Sequence, residues 1–223
     1  MNETVMMLIF FAVPAVVVVV IIVLTVIRAG KRREAFLAVA QELGFDFEAK
    51  PEEVWQPVKG LPLFERGHSK RVRNALSGTA RDVEVCIFDY RYTVGGGKNS
   101  ATYNQSVIAF RALSLDLPEF ALKPENVFHR IGSVFGYQDI DFDDHPEFSK
   151  HYLLRGDDER AVRTVFDEEV LGYFETNQGL SVEGAGDHLI VYRRSKRIDP
   201  DEVRAFMETG FGVFSAFARE ETA

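Results

Sequence analysis

Three aspartates at alternate positions, Asp139, Asp141 and Asp143, form the pattern in this chain that most resembles a binding site. Carboxylates at this spacing occupy the first three ligand positions of an EF-hand calcium loop. That loop also needs glycine at its sixth position and glutamate at its twelfth, where this chain has aspartate and lysine. We therefore interpret residues 139–145 as a solvated acidic turn whose carboxylates cap backbone groups. The alternative is a different divalent-ion site formed by Asp141, Asp143, Asp144 and His145.

A glycine run followed by lysine, Gly95 to Lys98, could cradle a phosphate group. A phosphate-binding loop also requires an earlier glycine and a serine or threonine directly after the lysine. The chain has Tyr92 and Asn99 at those two positions. The run also lies between two predicted strands, whereas a phosphate loop joins a strand to a helix. We predict a flexible hairpin loop that binds no cofactor.

The nucleophile candidates do not form a known catalytic pattern. The five histidines show no HxH or HExxH spacing, and no Gly-x-Ser-x-Gly elbow is present. Cys86 is the only cysteine, which excludes an internal disulfide, and its place within a predicted strand favours a small buried residue. We predict no catalytic residues, no metal ligands and no cofactor. Because this evidence is negative, a membrane-bound hydrolase stays an alternative.

Charge is unevenly distributed along the chain. The net charge of -8 argues against a nucleic-acid partner. Residues 59–81 contain six basic and one acidic side chain, whereas residues 139–169 contain eleven acidic and four basic ones. A basic side chain near an anionic leaflet contributes about 1 kcal/mol to binding. The basic segment therefore either faces a lipid surface or reflects ordinary scatter of charge.

The longest apolar run covers residues 5–27. These 23 residues carry no charge, and 17 of them are valine, isoleucine, leucine or phenylalanine. As a helix the run would extend about 34 Å, and the hydrocarbon core of a bilayer is about 30 Å thick. The run predicts a transmembrane helix over about 5–27, within an N-terminal anchor of residues 1–30.

Four basic residues follow this run, and none precedes it. Positively charged flanks stay on the cytoplasmic side, so we predict a single-pass protein of the cell membrane with its N-terminus outside and its C-terminal domain cytoplasmic. The lone cysteine agrees with a reducing compartment. The basic flank also supplies the candidate contacts to anionic lipid: Arg28, Lys31, Arg32 and Arg33.

Residues 31–223 predict one soluble α+β domain with mainly antiparallel strands. Apolar residues at helical spacing predict a helix over 31–43, and Gly44 can end it. Alternating apolar residues then predict strands whose connections are too short for parallel crossovers. We expect these strands to form an antiparallel meander: 71–76, 83–92, 102–113 and 119–122.

The last third predicts a β-α-β-β-α order. Asp199, Pro200 and Glu202 provide an N-cap, a proline at the first helical position and the acidic partner of a capping box, which together indicate the start of the final helix. The predicted elements are a strand over 151–155, one helix over 158–176, a hairpin of 179–183 with 188–193, and a helix running from 199 toward 219.

Two segments carry a resemblance to known proteins. Residues 141–149, DFDDHPEFS, followed by 152–156, YLLRG, resemble uncharacterised bacterial membrane proteins with one N-terminal span and a cytoplasmic α+β domain. Residues 88–92 and 117–120 match the same pattern, so that the similarity covers roughly residues 60–215. The resemblance implies that architecture and no particular activity.

These observations together predict a membrane-tethered cytoplasmic interaction domain whose partners are the lipid bilayer and an unidentified protein. A lipid-surface or ligand-sensing module and a membrane-bound hydrolase are the alternatives. A deep pocket that holds histidine beside aspartate would favour the hydrolase. A shallow basic face would favour the lipid surface, and a flat apolar patch would favour a protein partner.

Overall fold

The computed structural model describes residues 3–80, 82–125 and 139–218. Its eight strands form one antiparallel sheet with the spatial order β1-β2-β3-β4-β8-β7-β5-β6. The strands are β1 Asp46–Glu48, β2 His68–Ala80, β3 Val83–Val94, β4 Ala101–Arg111, β5 Leu117–Pro124, β6 Tyr152–Gly156, β7 Ser181–Gly186 and β8 His188–Tyr192. The α-helices are α1 Glu3–Leu43, α2 Pro62–Glu65, α3 Pro146–His151, α4 Glu159–Val165, α5 Glu168–Thr176 and α6 Val203–Phe217. Short 3-10 helices occupy Gln56–Val58, Gly97–Asn99 and Pro200–Glu202.

The prediction of an N-terminal transmembrane helix is wrong. The apolar run and the helix predicted over 31–43 are parts of one continuous helix, α1, of 41 residues. Nowhere in the described residues does a helix combine the length and the apolar character that crossing a bilayer demands. The predicted localisation, a single-pass protein of the cell membrane with an external N-terminus, depends on that helix and is therefore wrong as well.

The antiparallel arrangement holds throughout the sheet, but the predicted meander stops after three strands. β2, β3 and β4 pair in sequence as expected. β5 does not pair with β4; it lies between β7 and β6, and β4 pairs with β8 instead. Residues 189–192 of β8 are buried on both faces of the sheet. A strand that is apolar on both sides needs a central place, which explains why β8 takes the position beside β4.

Both faces of the sheet are covered, because successive side chains of each strand point to opposite sides. Val85 and Ile87 of β3 join a large core with the C-terminal part of α1 and helices α3 to α6, which we call the helix-covered face. Phe88 and Tyr90 of the same strand join a second core beneath residues 54–64, which we call the loop-covered face.

The helix predicted over 158–176 is two helices, α4 and α5. The chain leaves helical geometry at Phe166, which has φ -93° and ψ 65°. Asp167 then caps α5, because its Oδ1 accepts hydrogen bonds from Glu169 N and Val170 N, each at 3.0 Å. An N-cap aspartate satisfies backbone donors that the first helical turn leaves unpaired.

Two predicted helix boundaries are confirmed. The capping box of Asp199 and Glu202 is formed, and the helical segment begins at Pro200. α1 ends at Leu43, and Gly44 adopts φ +69°, a left-handed conformation that glycine accepts without a steric penalty.

Candidate functional site

The described apolar part of α1, residues 15–27, is exposed on all sides, and we call it the apolar arm. Its eleven large aliphatic side chains are each 46% to 67% exposed. Further along the same helix, Phe36 and Ala40 are completely buried against the sheet. A helix that is apolar all round presents no face suited to water. An exposed apolar surface of this extent marks a site of interaction.

The four basic residues that were candidates for lipid contact fall into two groups. Arg28, Lys31 and Arg33 are exposed beside the apolar arm, where their cationic groups are accessible. Arg32 is only 15% exposed and belongs to an internal ion pair. Contact with anionic lipid therefore stays a prediction for the first three, and the structure places the fourth within the domain.

Arg32 fixes α1 to the middle of the sheet. Its guanidinium makes two parallel bonds to Asp89 of β3, Nε to Oδ2 and Nη2 to Oδ1, both at 2.9 Å, and Nη2 also donates to Ile198 O at 2.7 Å. Asp89 is 8% exposed and accepts further hydrogen bonds from Asn74 Nδ2 at 3.0 Å and Ser106 Oγ at 2.8 Å. This bidentate geometry gives both strength and a fixed direction.

The ion pair positions the apolar arm relative to the domain. Arg32 also lies over the ring of Phe36, with its guanidinium carbon 4.7 Å from the ring centroid. Phe36 is fully buried. Apolar packing at Phe36 and the ion pair at Arg32, one helical turn earlier, therefore both hold the helix on the sheet. Asp89 had a visible sequence signal as an acid between the aromatic residues Phe88 and Tyr90, but its partner Arg32 lies 57 residues away.

The acidic turn hydrogen-bonds to a backbone group through Asp139, as expected if its carboxylates cap backbone groups. Asp139 Oδ1 accepts a hydrogen bond from Leu154 N at 2.9 Å, and burial raises the pKa of this carboxyl to about 6. His145 Nδ1 lies within hydrogen-bond distance of Glu175 Oε1, at 3.2 Å. Among the described residues, no three His, Cys, Asp or Glu side chains are grouped so that they could hold a metal ion.

Of the remaining sequence candidates, His129 lies outside the described residues, and those that the structure describes do not assemble into a catalytic site. The glycine run forms a hairpin connection between β3 and β4 that includes one short 3-10 turn, Gly97–Asn99, as predicted. Cys86 is buried, and desolvation, followed by the charge of Glu48, raises its pKa to about 12. A thiol at that pKa is protonated at neutral pH and is a poor nucleophile.

The basic segment 59–81 contributes to a groove of about 620 Å³ beside α2 and β2. Phe64 and Val72 form apolar parts of its wall. Its charged lining is mixed, with four basic side chains, Lys59, Lys70, Arg71 and Arg73, and three acidic ones, Glu52, Glu53 and Glu65. A mixed lining of this kind does not form the uniform basic face that would favour a lipid surface at this place.

Comparisons with known proteins show the fold. No protein-family model matches the chain, and no curated protein matches it either. Among solved structures, the mycobacterial trehalose monomycolate transport factor A, TtfA, is similar with a TM-score of 0.58 and 16% sequence identity, over 85% of this chain and 92% of that chain. At this identity the likeness concerns the fold alone. The resemblance to uncharacterised bacterial membrane proteins stays a prediction.

Proposed function

We propose that this protein is a non-catalytic interaction domain that binds lipid through the apolar arm of α1. The observation that carries the proposal is the exposure of residues 15–27, whose aliphatic side chains cover the whole circumference of the helix. Covering eleven half-exposed aliphatic side chains gains on the order of 10 kcal/mol. The hydrophobic effect therefore strongly favours association of the apolar arm with an apolar partner.

The all-round apolar character favours lipid over a protein groove. A helix that docks into a groove of a partner presents one apolar face and keeps a polar face toward water. The apolar arm has no polar face within residues 15–27, where Thr25 is the only side chain with a polar group. The Thr25 hydroxyl donates to Ile21 O within the helix, so it offers no free donor to a partner. Acyl chains can surround such a helix without a directional match.

Two further observations support lipid as the partner. Arg28, Lys31 and Arg33 lie exposed directly beside the arm, where they can meet anionic headgroups, each worth about 1 kcal/mol. TtfA, one of the solved structures with a similar fold, is a transport factor for trehalose monomycolate, which is a lipid.

Flotation of the full chain with lipid vesicles tests the proposal. The variant Val18→Gln/Ile22→Gln places two amides on the apolar arm, and we expect it to weaken vesicle binding at least tenfold, which is about 1.4 kcal/mol. An amide in an apolar environment without a hydrogen-bond partner is costly, which gives the physical reason. The vesicles contain phosphatidylcholine with phosphatidylglycerol.

The matched control introduces two glutamines in the same way, at two exposed leucines outside the arm. Leu37 on α1 is 40% exposed and Leu113 is 93% exposed, and both lie outside the arm. Leu37→Gln/Leu113→Gln should keep vesicle binding within twofold of the parent. Equal binding by the arm variant and the parent, or equal losses in the arm variant and the control, would refute lipid binding by the arm.

A further inference from the structure

The apolar arm leaves the domain at one particular end of the sheet. Arg32 of α1 is bonded to Asp89 of β3. Phe45, just beyond the C-terminal end of α1, lies against Gly78 of β2. Gly78 is the register partner of Val85, which precedes Asp89 on β3. Helix α1 therefore runs antiparallel to β3, and the arm extends toward the end of the sheet where β3 ends and β4 begins.

Arg91 of β3 lies on the arm side of the internal ion pair. It is two positions after Asp89, so it is on the same face of the strand and about 6.6 Å further toward the arm. Its register partners are Arg71 on β2 and Asn104 on β4, so neither neighbouring strand places an acid opposite it. Like charges directly opposite each other destabilise a strand pair, and a bound anion would relieve this cost. The Arg91 side chain is exposed.

The segment after β8 brings two more basic residues to the place where the arm meets the domain. The backbone of Lys196 is fixed to β4, because Ser106 N donates to its carbonyl oxygen at 3.1 Å. Two residues later, Ile198 O accepts a hydrogen bond from Arg32 of α1 at 2.7 Å. Lys196 and Arg197 are therefore held beside α1, and both of their side chains are exposed.

These residues and the basic flank of α1 form a group that we call the basic collar. Its six members are exposed basic side chains where the arm meets the domain: Arg28, Lys31, Arg33, Arg91, Lys196 and Arg197. Within residues 3–80, 82–125 and 139–218, no carboxylate lies within ion-pair distance of any of the six. Their positive charges are therefore available to a ligand.

Two acidic residues adjoin the collar but do not balance it. Glu34 lies on α1, further from the arm than Arg32. Asp199 Oδ1 is 3.8 Å from Arg32 Nη1, so that carboxylate faces the internal ion pair. The chain then leads away from the arm, because Arg204 pairs with Glu42 near the C-terminal end of α1. The collar therefore keeps an excess of positive charge.

We propose that the basic collar binds the anionic headgroups of the lipid that the apolar arm contacts, so that the protein selects anionic over zwitterionic lipid. The inference rests on the proposed lipid binding by the arm, and it adds the class of headgroup and the residues of the domain that recognise it. The collar begins at Arg28, directly after the arm ends at Ile27. One lipid surface can therefore meet the arm with its acyl chains and the collar with its headgroups.

The domain residues of the collar are close enough to act on such a surface. Arg32, beside which Lys196 and Arg197 are held, follows Ile27 by about 7.5 Å along the helix axis. The Debye length is about 10 Å at 0.1 M salt, so charges at this separation are not screened out. An acidic protein would also be attracted to the collar, but continuity with the apolar arm favours a lipid surface, which presents anionic and apolar groups side by side.

Flotation of the full chain with two kinds of vesicle tests the collar. One kind contains phosphatidylcholine alone, and the other contains phosphatidylcholine with phosphatidylglycerol. We expect the parent to bind the anionic vesicles at least tenfold more tightly at 0.1 M salt. At 1 M salt, where the Debye length is about 3 Å, this preference should disappear while binding through the arm remains.

The variant Arg91→Gln/Lys196→Gln/Arg197→Gln removes the three charges that the domain contributes to the collar. Each basic side chain near an anionic leaflet strengthens binding about fivefold. The variant should therefore bind anionic vesicles at least tenfold more weakly than the parent. Its binding to pure phosphatidylcholine should stay within twofold of the parent, because the arm is unchanged.

The matched control Lys59→Gln/Arg160→Gln/Arg204→Gln removes the same number of charges from exposed residues outside the collar. It should keep the preference of the parent within threefold, since the total charge changes equally but the collar does not. A second variant, Arg91→Lys/Arg197→Lys, keeps the charges of the collar and should also keep the preference within threefold. Its retention shows that the triple variant acts through charge and not through a folding defect.

The arm variant Val18→Gln/Ile22→Gln separates the two claims, because it should weaken binding to both kinds of vesicle by the same factor. Absence of binding by the parent to either kind would refute lipid binding by the arm, and the collar proposal with it. Equal affinity of the parent for both kinds would overturn the collar proposal alone. Equal losses in the collar variant and the matched control would also overturn it.

Discussion

Asp89→Asn lowers the free energy of unfolding by about 3 kcal/mol, because it removes the charge on which the buried anchor of α1 depends. Arg32 and Asp89 are 15% and 8% exposed, and two bonds of 2.9 Å join them. Removing the Asp89 charge leaves the desolvated Arg32 guanidinium with only the largely exposed Asp199, whose Oδ1 lies 3.8 Å from Nη1, as a counter-charge. The loss therefore costs more than the intact pair gained. Asparagine keeps the size of the side chain, so packing changes little.

Urea denaturation of the parent and the variant measures this loss. Glu42→Gln is the control on the same helix, because Glu42 pairs with Arg204 at 3.2 Å while both side chains are about 60% exposed. An exposed pair contributes at most about 1 kcal/mol, so this control should cost no more than that. Similar costs for Asp89→Asn and Glu42→Gln would show that the internal pair does not anchor the helix.

Phe166→Ala should lower the free energy of unfolding by about 3–5 kcal/mol. Phe166 is 1% exposed, and its ring lies at the centre of an aromatic cluster. Its centroid is 5.0 Å from that of Phe120, 5.3 Å from Phe217, 6.1 Å from Phe148 and 6.5 Å from Phe174. Truncation leaves a cavity that four rigid rings cannot fill.

Thermal unfolding checks this prediction with a neighbouring phenylalanine as the reference. Phe142 is half-buried, and its ring meets that of Phe148 at 5.7 Å. Phe142→Ala should therefore cost clearly less than Phe166→Ala. A chain of this size loses about 2–4 °C of melting temperature per kcal/mol, which predicts a fall of about 10 °C for Phe166→Ala. A fall no larger than that of Phe142→Ala would contradict the central place of Phe166.

Local signals in the sequence were enough for much of the fold. The capping box of Asp199 and Glu202 involves residues three apart, and the left-handed Gly44 ends its helix through its own conformation. The meander of β2, β3 and β4 follows from short connections. Each of these features depends on neighbours in sequence, which is why pattern and spacing predicted them.

Long-range pairing and competing local signals explain the errors. The choice of β8 over β5 as partner of β4 depends on burial of β8 on both faces, and that burial is a property of the whole sheet. The break between α4 and α5 was hidden because the apolar stripe continues across it, although Asp167 was an available cap. The hydropathy of the apolar run alone predicted a membrane span. It could not show that the run belongs to a longer helix, α1, which continues to Leu43.

The sequence could also show those features of the candidate site that are contiguous along the chain, and it could not show those that depend on distant partners. The apolar run and its basic flank are contiguous, so the sequence singled out both, although it wrongly predicted a membrane span for the run and predicted a lipid contact only for the flank. Arg32 could not be separated from Arg28, Lys31 and Arg33 by sequence, because its partner Asp89 lies 57 positions away.

An environment-sensitive fluorophore on the apolar arm tests the central claim of lipid binding most directly. Cys86 is buried with a pKa raised to about 12, so an introduced cysteine can be labelled selectively. One chain carries the label at Ile22→Cys and a second at Leu113→Cys, both at exposed positions. Vesicles of phosphatidylcholine and phosphatidylglycerol are then added to each labelled full chain.

We expect a blue shift and an increase in emission for the label at position 22, because acyl chains replace water around it. The label at position 113 should keep the spectrum that it shows in buffer. An unchanged spectrum at position 22 in the presence of vesicles, or equal shifts at both positions, would contradict lipid binding by the apolar arm.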